Sequence, residues 1–311
     1  MIQPMNRRTF ISKSAGAGLL AATGLSWLTE GTAAGAEEDS RTPYDLVAVM
    51  GGEPGAMYAR GIEGLGGMEA FVKPGQTVVV KPNIGWDRTP EMGANTNPEL
   101  VASIVADCLR AGASEVFVFD HSCDNWVKSY ASSGIEAAAK EAGATVVSAA
   151  SQTSYRQVTF PGKVMTSALV HEKVIDCDVL IDVPVIKHHD GAQVSLAMKN
   201  LMGIVWDRGF LHRNDLQQCI ADIVTYRKPD LTVIDGYRVM QKNGPKGVTR
   251  ADAALKKTLI LSRDIVAADA AAAKIFGVEP ADIPHIRIAA EMGLGKIELD
   301  KLNIQRINLK A

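Results

Sequence analysis

VLIDVPVIKHHDGAQVSLAMKNLMG, residues 179–203, is the stretch on which the reading of this chain turns. Its apolar run, 179–186, has the length and β-branched content of a buried strand. Lys187-His188-His189-Asp190-Gly191 ends the run, and an amphipathic helical pattern follows. A strand, a polar tip and a helix make half of a βαβ unit, and in an open α/β sheet such tips form the ligand crevice. The N-terminus of the helix adds N–H donors and a partial positive charge, which favour an anion. In that predicted helix Val194, Ala197, Met198, Leu201 and Val205 share one face, suited to packing on the sheet. Ser195 and Lys199 fall off the stripe, four apart and so neighbours.

The same alternation extends outward in both directions. Strand-like runs at 45–50, 77–81, 115–119, 145–148, 230–234, 258–261 and 302–309 alternate with helical patterns at 54–65, 97–111, 132–142, 215–227, 264–276 and 282–292. Asn97-Pro98-Glu99 is a helix start by composition: a capping amide, proline in the first turn and an acid at the positive end. Alternating strands and helices predict an α/β fold, a largely parallel or mixed sheet flanked by helices. The less regular segment 149–173, with its Pro161-Gly162 turn, reads as a β-rich insertion or as a linker between two subdomains.

Polar groups cluster where predicted strands end. Lys81, Lys187 and Lys199, with the amides of Asn83, Asn200 and Asn243, are the candidate holders of an anion. Asp120, His121, His188 and His189 are the candidate acid/base groups. Side chains alternate along an extended chain, so one of the two adjacent histidines is expected to face the site. His188 or His189 with His121 and Asp87 or Asp120 would also supply nitrogen and oxygen ligands to a divalent metal, although no local ligand motif fixes such a site. No nucleophile elbow, P-loop or dinucleotide fingerprint is present, which argues against those hydrolase, NTPase and dinucleotide classes. Cys108, Cys123, Cys177 and Cys219 lack metal or cluster spacing, so no iron–sulfur cluster is expected.

At the N-terminus, Asn6-Arg7-Arg8-Thr9-Phe10-Ile11 is a twin-arginine pattern, followed by a short apolar stretch at 15–28 and Ala34-Gly35-Ala36. Residues 1–36 therefore read as a cleaved leader and 37–311 as the mature α/β unit. The expected partners are the twin-arginine export machinery and a small anionic molecule, with a periplasmic or extracellular location. The apolar stretch is too short and too rich in glycine and alanine for a stable membrane anchor. Removing Arg7, Arg8, Lys13 and Glu30 takes the net charge from −2 to about −4, which argues against nucleic acid as a partner. Hydrophobic residues at 47% and charged residues at 22% suffice for a packed core.

Seven segments together carry a family resemblance: Val80-Lys81-Pro82-Asn83 with Thr96-Asn97-Pro98-Glu99, Val118-Phe119-Asp120-His121-Ser122, Val183-Pro184-Val185-Ile186-Lys187-His188-His189, Ala197-Met198-Lys199-Asn200-Leu201-Met202-Gly203, Asn243-Gly244-Pro245 and Ser262-Arg263-Asp264-Ile265-Val266-Ala267-Ala268-Asp269. With these the chain resembles the bacterial and archaeal family described as domain of unknown function 362. The resemblance implies an α/β fold; some members carry iron–sulfur motifs in an added ferredoxin-like part, whose cysteines this chain lacks. Asp87-Arg88-Thr89-Pro90, followed by a helix, a strand and Asp120-His121, is also similar to the N-terminal part of nickel-pincer lactate racemases. Two functional expectations follow: an exported, metal-assisted enzyme acting on a small carboxylate or phosphate, or a non-catalytic binding or accessory protein for a metal or anionic cofactor.

Overall fold

The computed structural model describes residues 27–28 and 43–309; apart from Trp27 and Leu28, the leader pattern lies outside the described residues. Twelve strands are described: β1 (Leu46–Met50), β2 (Thr77–Pro82), β3 (Glu115–Val118), β4 (Thr145–Val146), β5 (Tyr155–Thr159), β6 (Ser167–His171), β7 (Val179–Val183), β8 (Val185–His189), β9 (Gln193–Ser195), β10 (Leu231–Met240), β11 (Ala253–Ser262) and β12 (Ile304–Asn308). The main sheet runs β12-β1-β11-β10-β7-β2-β3-β4, with β8 and β9 branching from β10. Pairing is parallel along β10-β7-β2-β3-β4 and between β12 and β1, and antiparallel on both sides of β11. The sheet is therefore mixed and mostly parallel, as expected. β5 and β6 form a separate antiparallel hairpin in the irregular segment.

Side-chain alternation along the strands divides the core into two layers. Leu46, Ala48, Val79 and Leu180 pack into one cluster, while Val47, Val49, Val78, Val80, Val179 and Ile181 pack into the other. The central strands thus have apolar residues on both faces, the pattern of a sheet covered by helices on each side. The helices are α1 (Pro54–Gly64), α2 (Pro98–Arg110), α3 (Trp126–Ser132), α4 (Ile135–Glu141), α5 (Glu172–Asp176), α6 (Ala197–Asn200), α7 (Arg208–Arg213), α8 (Leu216–Tyr226), α9 (Ile265–Phe276) and α10 (Pro284–Glu291). Buried residues of α1, α2 and α4 belong to the second cluster, and those of α8, α9 and α10 to the first. Starts foreseen from composition are capped as expected: Asn97 accepts from the Glu99 N–H and Asp264 from Val266 and Ala267. Among the described residues, no helix is long and apolar enough to cross a membrane.

Three expectations about the central stretch are corrected. The apolar run at 179–186 is two strands, because Pro184 has no N–H to give a ladder; β7 lies between β10 and β2, whereas β8 lies between β10 and β9. β7 pairs with the start of β10 and β8 with its later part, Thr232 opposite Asp182 and Met240 opposite Lys187. Lys187, His188 and His189 therefore stand in a strand, laddered also to β9 through Lys187–Ser195, His188–Val194 and His189–Gln193. The helix is only the four residues of α6, continued by a tight 3₁₀ turn at Leu201–Ile204. Likewise the strand read at 230–234 continues to Met240 through a register shift between Gly236 and Arg238, so Asp235 lies inside a strand and not at its end.

Candidate functional site

β2 ends by delivering Lys81 to the interior, where its side chain has no solvent exposure. Its ammonium lies 2.8 Å from Asp120 Oδ1, which the chain just beyond β3 supplies. Lys81 Nζ also donates to Asn200 Oδ1 (2.9 Å) and to the Pro82 carbonyl (3.0 Å). Ile84 N–H donates to Asp120 Oδ2 (2.7 Å), while Oδ1 faces the Lys81 ammonium without a hydrogen bond. A buried ion pair survives only when such additional bonds offset the loss of water.

Asn200 links the pieces. Its Oδ1 accepts from Lys81 and from Asn83 Nδ2 (3.0 Å), and its Nδ2 donates to Asp182 Oδ1 (2.7 Å). Burial holds the Asp182 carboxyl well above the usual carboxylate range. Asn83 Oδ1 in turn accepts from Lys187 Nζ (2.8 Å), which also donates to the Ala94 carbonyl. Lys81, Asn200, Asn83 and Lys187 thus form one continuous chain of polar contacts across β2, α6 and β8. Gly203 closes over it: a Cβ there would stand 1.9 Å from Asp120 Oδ1 and 2.7 Å from Lys81 Nζ, so only glycine lets the 3₁₀ turn approach the pair.

Above this network lies a cleft of about 300 Å³. Of the residues expected at the site, Asn83, Asp120, His121, Lys187, His189, Lys199 and Asn200 line it; Lys81 lies behind Asn200. Lys199 is partly buried, and its ammonium meets only the thioether sulfur of Met202, at 3.7 Å. Burial pushes the Lys199 ammonium down to about 8 and that of Lys187 down to about 7. Arg208, from α7, adds a third cation; it donates to the Ser122 carbonyl (2.8 Å) and lies 3.0 Å from Cys123 Sγ, with no carboxylate partner. The cleft wall therefore carries three basic side chains against one carboxylate, which is ion-paired with Lys81.

Backbone contacts fix the ring states of the histidines. His189 Nδ1 accepts from the Gly191 and Ala192 N–H groups (3.1 and 3.2 Å), so the neutral ring carries its proton on Nε2. Burial, then the charge of Lys199, pushes His189 down to about 3, and its ring stacks on that of His212. His121 pairs through Nδ1 with the Val205 carbonyl (3.1 Å), the opposite tautomer, which leaves Nε2 as an acceptor. Burial, followed by the charge of Arg208, lowers its pKa, and the ring stacks on Trp206 at 5.1 Å.

Several site expectations are redrawn. Asn243 spends its amide on Asp252 Oδ1 (2.7 Å), tightening its own loop, and does not line the cleft. His188 points away from the cleft, as strand alternation requires, and accepts from Gly244 N–H (3.2 Å). Asp87 is not in the lining, and its N–H is held by Asp124 (3.2 Å). The proposed ligand set of His121, His188, His189 and Asp87 is thus not brought together, and among the described residues no three His, Cys, Asp or Glu side chains form a group able to hold a metal ion. The N–H groups opening α6 are not free for an anion either: Ala197 and Met198 donate to the two oxygens of buried Asp269 (2.7 and 3.0 Å). Conversely, Cys123, Arg208 and His212 line the cleft without having been singled out. Their one signal was a cysteine, an arginine and a histidine in polar segments next to recognised motifs.

The chain is 26% identical over 248 residues to a thylakoid-associated protein of Synechocystis, spanning 75% of this chain and 73% of that relative. Among solved structures, it is similar to the lactate racemase apoprotein from Thermoanaerobacterium thermosaccharolyticum, at 14% identity and a TM-score of 0.42. That likeness covers 62% of this chain and half of the racemase chain. Residues 78–274, more than half the chain and every element of the polar network, match the family described as domain of unknown function 362, and the protein belongs to that family.

Proposed function

We propose that this protein is exported and binds a small anion, a carboxylate or a phosphate, in the cleft between β8, α6 and α7. The observation that carries the reading is Lys199: a partly buried ammonium without an oxygen acceptor, in the same lining as Lys187 and Arg208. Bringing such a charge out of water is costly unless an anion meets it, and a ligand is the missing partner. The His189 Nε2–H is a neutral donor in the same lining. The cleft volume suits a compact molecule of a few heavy atoms rather than a nucleotide. Export rests on the twin-arginine leader pattern.

A second reading, proton-transfer chemistry on that anion, is favoured by one further observation. His121 is neutral, with Nε2 as acceptor, and lies in the lining with the His189 donor. Asp120, in the same lining, is ion-paired with Lys81 and accepts the Ile84 N–H.

Isothermal calorimetry of the purified protein with phosphate, oxalate and acetate tests binding. We expect saturable, one-site binding that Lys199→Gln weakens; equal, non-saturating heats in both proteins would refute it. Incubation of a bound 2-hydroxy acid in deuterated water separates the two readings, because proton transfer at carbon would incorporate deuterium.

A further inference from the structure

Cys123 supplies the one thiol in the cleft wall, with the Arg208 guanidinium beside its sulfur. It is the one exposed cysteine of the four; Cys108, Cys177 and Cys219 are buried. Its N–H donates to the Gly85 carbonyl (2.8 Å), which fixes the start of the loop. The Arg208 guanidinium is held by the Ser122 carbonyl one residue earlier and reaches Sγ at 3.0 Å. A cysteine beside an arginine is not a site in itself. The pointer to a ligand is again the Lys199 ammonium, partly buried, unmet by oxygen and lining the same cleft.

We infer that Cys123 is the nucleophile of this cleft toward electrophiles that carry an acid group, with the acid held by Lys199 and Arg208 and the electrophilic carbon presented to Sγ. This rests on the anion-binding reading above. The natural class is a small 2-oxo acid or an aldehyde acid. Sulfur adds to the carbonyl carbon, the S–C bond forms, the C=O π bond breaks, and the thiol's proton ends on the new hydroxyl. The product is a reversible hemithioketal or hemithioacetal, and nothing is oxidised or reduced.

Alkylation gives a direct test. In iodoacetate and iodoacetamide the sulfur displaces iodide in the same way, but only iodoacetate carries the acid. Local cationic fields raise the encounter rate of anions by ten- to a thousandfold. On the full chain, with the label located by peptide mass, the iodoacetate to iodoacetamide rate ratio at Cys123 is expected to exceed that of free glutathione by about tenfold or more. Saturating phosphate should protect Cys123, and Lys199→Gln should return the ratio toward the glutathione value while circular dichroism shows the fold intact. A glutathione-like ratio while calorimetry still shows phosphate binding overturns the role of Cys123 and leaves the anion site standing. Preferential labelling that phosphate does not protect also overturns it, since the selectivity would then arise outside the site. Absence of phosphate, oxalate and acetate binding overturns the anion site itself.

Discussion

Lys199 occupies the third position of a four-residue helix and faces a thioether, an arrangement with no structural return of its own. Charge-assisted hydrogen bonds contribute about 1.5–3 kcal/mol each, so Lys199→Gln should weaken oxalate binding by roughly 10- to 150-fold in calorimetry. The pH dependence follows from the two cleft lysines. With Lys187 near 7 and Lys199 near 8, each ammonium is present below its pKa and lost above it, so oxalate affinity should be full below about pH 6 and decline as pH rises through 7 and 8. Oxalate suits this measurement because it does not itself titrate there. At Gly203 the expected effect is on stability. Gly203→Ala would drive a methyl into the Lys81–Asp120 pair, and disrupting a buried pair costs about 3–5 kcal/mol, to be read as a lower urea midpoint.

Among the elements, α6 depends most on a distant carboxylate. Asp269, in the middle of α9, takes the Ala197 and Met198 N–H groups and so fixes the helix that carries Lys199 and Asn200. Burial pushes the Asp269 carboxyl up to about 7, above its unfolded value, so its contribution is complete at low pH and is lost as pH rises from about 4 to 7. Asp269→Asn has no such titration. The urea-unfolding advantage of the native protein over this variant should narrow across that interval, by at most about 1.4 kcal/mol per pH unit. The sequence made the capped helices at Asn97 and Asp264 legible, because each cap is a local side chain-to-backbone bond. It did not reveal that Asp269 caps α6 or that β8 is a strand. Asp269 sits in an alanine-rich helical pattern with nothing to mark a remote partner, and the polar Lys187-His188-His189 looked like a strand end because its ladder partners come from β9 and from an unexpectedly long β10. Lys81, Asn83, Asp120 and Lys187 were legible as strand-end polar groups, Asn200 as an amide of the following helical stretch, and they do converge. Arg208 and His212 were not, since α7 is a short polar helix whose placement only the fold decides.

At the scale of the molecule, the two apolar layers on either side of the sheet hold the network's strands in register, and the ligand adds to that stability by mass action. Phosphate or oxalate at 100 times its dissociation constant should contribute about 2.7 kcal/mol. For a chain of this size that is a rise of roughly 5–10 °C in the melting temperature, checked by differential scanning fluorimetry. The strand break at Pro184 has a consequence for how the cleft recognises anything. Lys187 and its neighbours are held between β10 on one side and β9 on the other, so the floor is woven into the sheet instead of hanging from a flexible tip. Their amide protons should trade with deuterated solvent as slowly as those of the central strands, and the recess should keep its dimensions whether or not a guest is inside. Selection among guests then falls to fixed size and charge, with no closing gesture from the protein to accommodate a larger one.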